Sequence, residues 1–425
     1  MQDFQYPNAP AYPEPAYPPV QPRAKTDWLS IAQLVFSVGS LLSSLAIAAL
    51  MFFTDFMPMD PQLGAVNSGP LMLLAYASLV VAALALISAV YAVRRLMGWR
   101  SPGQPAKRSV WLYGLLALWP FLLAWGSSVS ASGDSGGLSA LLVVLGLAVP
   151  TFWLLRYGSG GLWGAYPQRD SGLFTFGAGF SLYFIMFLEL VAIALLLVGV
   201  VLVAPMLPGL QQILQELGRI FQEGPQVLED PRILERLTGM LNQPGIIGLL
   251  ILAIGLIAPF LEELFKPLGV WLLAGRKPSI SPAQGYVAGL FSGAAFGLVE
   301  GMLYGMQVIG AGSGELFLGF MLGRAAGLLL HIFLSGLNGW AIAKSWQDKR
   351  WGRILGMLAL TTLIHGAWNS LAILNGLNNL DSEAVFDLSH PISLVPMALI
   401  LIGMLLGFLV FSKRVQRELH APETV

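Results

Sequence analysis

The chain has 425 residues, of which 56% are hydrophobic and only 11% charged, with a net charge of zero and a mean hydropathy of +0.71. That composition excludes a soluble globular protein and leaves a polytopic helical membrane protein. Balanced charge gives no basic footprint for nucleic acid, and the absence of cysteine removes disulfides, thiolate metal sites and cysteine nucleophiles.

Residues 1–27 contain seven prolines and three tyrosines without an apolar stretch, and are expected to be a disordered, polyproline-like cytoplasmic tail. They lack the basic start, apolar middle and small-residue cleavage site of a signal peptide. A plain linker accounts for this composition more simply than a docking peptide does.

Ten apolar segments follow, at 28–53, 71–93, 110–127, 138–155, 177–204, 245–274, 283–308, 316–343, 352–374 and 392–411. Basic residues recur in alternate connections. They are Arg23 and Lys25, then Arg94, Arg95, Arg100, Lys107 and Arg108, then Arg156 and Arg169. The series continues with Arg276 and Lys277, then Lys344, Lys349, Arg350 and Arg353, and finally Lys413, Arg414 and Arg417. By the positive-inside rule this gives ten spans with both termini cytoplasmic, 412–425 being the second tail. The five spans of 28–204 form an N-terminal membrane region. Residues 205–244 have helical apolar spacing at Leu210, Ile213, Leu214, Leu217, Ile220 and Phe221 and again at Ile233, Leu234, Leu237 and Leu241, which predicts extracytoplasmic interfacial helices.

The second half carries charge inside its spans, where each ionised group costs about 2.5–3.5 kcal/mol on insertion scales and therefore calls for a partner or a function. The sixth span reads "PFLEELFKPLG", with Glu262, Glu263 and Lys266. The seventh holds Glu300 one turn after Phe296. The eighth holds Arg324 and, two turns later, His331; the ninth holds His365 and Asn369 at i, i+4 on one face. At 1.5 Å of rise per residue, the glutamates and histidines fall within roughly 6 Å of mid-depth. Each element has a structural explanation of its own: an intrahelical Lys266 ion pair, a Glu300–Arg324 pair, histidines as hydrogen-bonding glue. Collected at one depth, they supply a general base, polarising groups and a carboxamide donor, which packing does not require. There is no H-E-x-x-H, no G-x-S-x-G and no pair of aspartates in the later spans; Ser292 and Ser335 read as small packing residues.

The ordered set "EELFK" (262–266), "FGLVE" (296–300), His331 and "HGAWN" (365–369) resembles the PrsW family of intramembrane proteases, within the wider superfamily of CAAX prenyl endopeptidases and bacteriocin-processing Abi proteins. The resemblance implies an all-α catalytic membrane domain over 245–411, with the core in spans six to nine. It also implies hydrolysis of a peptide bond in a membrane-anchored protein substrate within the lipid bilayer, in a prokaryotic plasma membrane. Glutamate at 300, where the prenyl endopeptidase branch has histidine, argues against prenyl processing. Two mechanisms are compatible with the residues. In one, Glu262 or Glu263 activates water while His365 and Asn369 stabilise the oxyanion; in the other, His331, His365 and Glu300 hold zinc and another glutamate is the base. Spacing does not choose between them, and the ready supply of a base and a polarising donor favours the metal-free one. A proton- or ion-coupled transporter, or an inactive scaffold of protease fold, are the competing classes.

Overall fold

The computed structural model describes residues 28–56, 68–99, 111–133, 136–160, 167–203, 238–275, 280–309, 312–378 and 391–420, with a few isolated positions between 211 and 219. The N-terminal tail and most of the 205–244 segment lie outside the described residues. Every regular element among the described residues is helical, and ten helical stretches are long and apolar enough to cross a bilayer. Helix is the expected answer where no water is available to satisfy backbone N–H and C=O groups. The expected ten segments all appear, most of them longer at one end or both, while the seventh ends earlier, at Gly305. The fifth span begins at Pro167 and runs to Val203, and the eighth covers Gly314–Asp348.

The seventh span, Pro282–Gly305, lies at the centre of the bundle and is buried along almost its whole length. Its start follows from local chemistry. Ser281 accepts from the Gln284 N–H, the Gln284 side chain accepts from the Ser281 N–H, and Pro282 takes the first helical position. Its most extensive partner is the eighth span. The two backbones touch through glycines one turn apart on the seventh. A Cβ added to Gly285 would sit 2.5 Å from the Gly339 carbonyl oxygen, one on Gly289 2.1 Å from that of Ser335, and one on Gly293 2.2 Å from that of His331. Small residues at this spacing let helices approach to backbone contact, where dispersion drives association in lipid. Gly289→Ala is therefore expected to force the two spans apart at a cost of about 1–3 kcal/mol, seen as a lowered midpoint in thermal unfolding of the detergent-purified protein.

The sixth span is broken twice, and both breaks are used. A π-helical turn at Ala253–Ile257 sends the Ala258 N–H back to the Ala253 carbonyl. Five residues beyond Ile254 is Pro259, which has no N–H, so the Ile254 carbonyl has no donor in its own helix. Asn369 of the ninth span supplies one, its Nδ2 donating at 3.1 Å. Next to it, Gly366 lies so close that a Cβ there would be 2.1 Å from the Gly255 oxygen. Pro267 repeats the pattern: the Glu263 carbonyl loses its helical donor and has Asn338 Nδ2 of the eighth span at 3.5 Å, while Ser292 of the seventh donates a short hydrogen bond to the Lys266 carbonyl. These ties fix the 258–266 turn of helix against spans seven, eight and nine.

The N-terminal spans pack against this core. Spans one, two and five share a polar knot in which Gln33 Nε2 donates to Ser88 Oγ and to the Gln168 carbonyl, both at 3.0 Å. The fifth span then crosses the sixth, where Phe184 meets Phe265 edge-on at 5.4 Å between ring centroids.

Candidate active site

Four spans bring their polar groups to one buried cluster. Glu262 and Glu263 are consecutive on a helix, so they point about 100° apart and meet different neighbours. Glu263 faces the eighth and ninth spans: its Oε1 lies 3.0 Å from His365 Nδ1, and its Oε2 accepts from Asn338 Nδ2 at 3.0 Å. Asn338 Nδ2 also lies 3.1 Å from Thr361 Oγ1. Glu262 faces the space between the two imidazoles. Its Oε2 lies 3.8 Å from His331 Nδ1 and 3.8 Å from His365 Nε2.

The remaining contacts assign the ring protons. Lys266, fully buried, places Nζ 2.7 Å from His331 Nδ1, 2.6 Å from Glu262 Oε2 and 3.2 Å from Glu263 Oε1, with the Phe296 ring centroid 4.3 Å away. An ammonium only donates, so His331 Nδ1 accepts and its Nε2–H points to Glu300 Oε2 at 3.0 Å. Glu300 is held in turn by a short ion pair from Arg324. His365 likewise gives its Nδ1–H to Glu263, which leaves a bare Nε2 lone pair facing Glu262. Glu262 Oε2 and the His365 Nε2 lone pair are thus two acceptors turned toward each other, and the cation that lies against Oε2 is the Lys266 ammonium, at 2.6 Å.

Glu262, Glu263, Lys266, Glu300, His331 and His365 thus converge, with Phe296 and Arg324 as direct supports. Asn369 donates its amide nitrogen to the Ile254 carbonyl and so ties the ninth span to the sixth. Glu300, expected as a metal donor, stands behind His331, whereas the three residues whose donor atoms all lie within 4.8 Å of one another are Glu262, His331 and His365. Asn338 and Thr361 escape the sequence reading, although each has a signal: Asn338 follows His331 by two turns and Thr361 precedes His365 by one, on the same faces. Glu189 of the fifth span escapes it as well. It is half-buried, and a lone glutamate in an apolar run of a span without motifs offers no spacing to notice.

Carboxylates and imidazoles are buried together here among ten candidate membrane spans. The family model described as PrsW family intramembrane metalloprotease matches residues 189–404, just over half of the chain, and the protein belongs to that family. It is an intramembrane protease. No curated protein and no solved structure matches the chain. The matched region starts in the fifth span, at Glu189, so it reaches further than the four motif-bearing spans.

The donors fit the metal that the family's description implies. Zinc takes two imidazoles and a carboxylate in many hydrolytic sites, with bonds near 2.0–2.2 Å that put donors about 3.4 Å apart; Glu262 Oε2 stands 3.8 Å from each imidazole nitrogen and the whole trio lies within 4.8 Å, so the ion would draw the donors inward. Each imidazole also has its second nitrogen held by a carboxylate, Glu300 for His331 and Glu263 for His365, which is how metal-bound histidines are oriented.

Proposed function

We propose that this protein is a zinc-dependent endopeptidase that cuts a peptide bond of a membrane-anchored protein, with Glu262, His331 and His365 as the metal-holding centre. The observation that carries this reading is the trio of mutually close donors that these three residues offer. A bound zinc ion supplies Lewis acidity to a peptide carbonyl and acidity to a water. The chain's own residues do the rest. Glu263 and Glu300 set the tautomers of His365 and His331, Asn338 and Arg324 hold those carboxylates, and the fully buried surroundings exclude bulk water, which strengthens every polar interaction inside. Asn369 and Gly366 keep the sixth span in register by matching its π-helical turn.

A metal-free mechanism has one specific observation in its favour. The Lys266 ammonium already lies against two of the three donors, and in that arrangement Glu262 Oε2 is the base that takes a proton from water. Metal analysis separates the two. Protein purified in detergent without added chelator is expected to carry one zinc per chain, and His365→Ala almost none. Full cleavage of a membrane-anchored reporter by zinc-free wild type would transfer the chemistry to Glu262 alone. The family membership supports a protease over the transporter and the inactive scaffold.

A further inference from the structure

The reacting groups are closed off. Glu262, Glu263, His331 and His365 are each 5% exposed or less, so a peptide reaches them only when some element moves aside. Most of the surroundings are fixed by polar or backbone ties. Spans seven and eight meet at Gly285, Gly289 and Gly293; the sixth is held to them by Ser292 and Asn338, and to the ninth by Asn369 and the close approach of Gly366 to Gly255. The fifth span differs. Its helix Leu182–Val203 lies against residues 253–265 of the sixth span and against the seventh. Among the described residues no hydrogen bond or ion pair joins that helix to the sixth span, and the edge-on contact of Phe184 with Phe265 does so instead.

We propose that Leu182–Val203 is a lateral gate, turning on the π-helical turn at Gly177–Ser181, through which the apolar membrane segment of the substrate reaches Glu262 from the lipid. N-terminal to that turn the fifth span is anchored. Gln168 Nε2 donates to Ser30 Oγ at 2.7 Å, Thr175 Oγ1 donates to the Leu84 carbonyl at 3.2 Å, and Phe174 meets Phe291 of the seventh span edge-on at 6.4 Å between centroids. At the turn itself a Cβ on Gly177 would sit 2.8 Å from Ala295 Cβ, so the pivot is pressed against the seventh span. A π-helical turn interrupts the regular hydrogen-bond ladder, which makes it a place where a helix changes direction. Beyond it the anchorage ends. No residue from Met186 to Val203 is buried, and none of Pro244–Leu252 in the sixth span is, so the two spans shield each other only partly there. Leu188, Ala192, Leu196 and Val200 form a half-buried stripe at four-residue spacing. A transmembrane segment matches such a hydrocarbon surface, whereas a soluble polar peptide would have to leave water to reach it. Phe265 is one turn from Glu262 on the same helix, so parting the two rings opens the side of the sixth span that carries this glutamate.

This inference rests on the endopeptidase reading and is independent of zinc. The chain contains no cysteine, so Phe184→Cys combined with Phe265→Cys offers two unique thiols to a reducible bifunctional reagent. Cross-linking is expected to lower turnover of a membrane-anchored reporter at least about tenfold, and reductant to restore the level of the uncross-linked variant. Phe36→Cys combined with Phe176→Cys, whose rings lie 5.8 Å apart on the anchored side of the turn, is expected to keep its turnover when cross-linked. Turnover of the cross-linked Phe184/Phe265 pair within about twofold of its reduced form, or an equal loss in both pairs, would overturn the gate. A second measurement decides the matter if the Phe184/Phe265 pair does not fold. A photoreactive residue in place of Leu196, on the half-buried stripe, is expected to capture the reporter in Glu262→Gln protein, and one in place of Leu363, an exposed residue of the ninth span, to capture little. Capture at Leu196 no greater than at Leu363 rejects the fifth span as the entry. Wild type that leaves the reporter uncut removes the endopeptidase reading, and capture at Leu196 still decides the gate.

Discussion

Glu262→Gln is expected to reduce cleavage by at least about 10³-fold, while Glu263→Gln, one residue along, costs only about 10- to 100-fold. The asymmetry follows from what each carboxylate touches. Glu262 Oε2 faces both imidazoles, and in either proposed mechanism it belongs to the reacting centre, as donor to zinc or as base. A carboxamide in its place keeps the volume but carries no charge and takes no proton. Glu263 acts through His365, and a glutamine oxygen still accepts from Nδ1, so ring orientation is largely kept. Turnover of a membrane-anchored reporter by the two variants, compared at equal amounts of folded protein, makes the check. Equal losses would mean that the two acids share one role, against the geometry.

Lys266→Met carries the second large effect, and it acts on stability. The ammonium is fully buried between Glu262 and Glu263, and removing one partner of a buried ion pair leaves uncompensated charge, at a cost of about 3–5 kcal/mol. Zinc at the same donors restores a cation. In zinc-free preparations the Lys266→Met midpoint is therefore expected to fall well below wild type, and added zinc to raise it more than it raises wild type, where the ammonium must first move off Glu262 Oε2 and His331 Nδ1. At a hundredfold excess over Kd, binding contributes about 2.7 kcal/mol. Thermal unfolding with and without zinc reads both terms. An unchanged zinc response in Lys266→Met would show that ammonium and metal do not compete, and no response in either protein would favour the metal-free mechanism.

Much of the architecture is legible in the order of the amino acids. Apolar length alone defines ten spans, because a bilayer allows only self-satisfied backbone and the required run of about 20 residues is a linear property of the chain. The depth at which Glu262, Glu263, Glu300, His331 and His365 sit is linear too, since rise per residue is constant, and their order along successive spans carries the family resemblance that the match over 189–404 bears out. Lys266 pairing with both glutamates follows from i+3 and i+4 spacing on one helix.

What the tertiary structure alone decided is who faces whom across helices. Rotation of each span about its own axis depends on its neighbours, here on the Gly285, Gly289 and Gly293 contacts and on the π-helical turn that shifts the sixth span's register. That rotation aims Glu262 at the imidazoles and Glu263 at Asn338. It also sets Glu300 behind His331 and gives Asn369 to the Ile254 carbonyl that Pro259 leaves without a donor. Contacts between separate helices have no spacing in the chain, and only packing determines them.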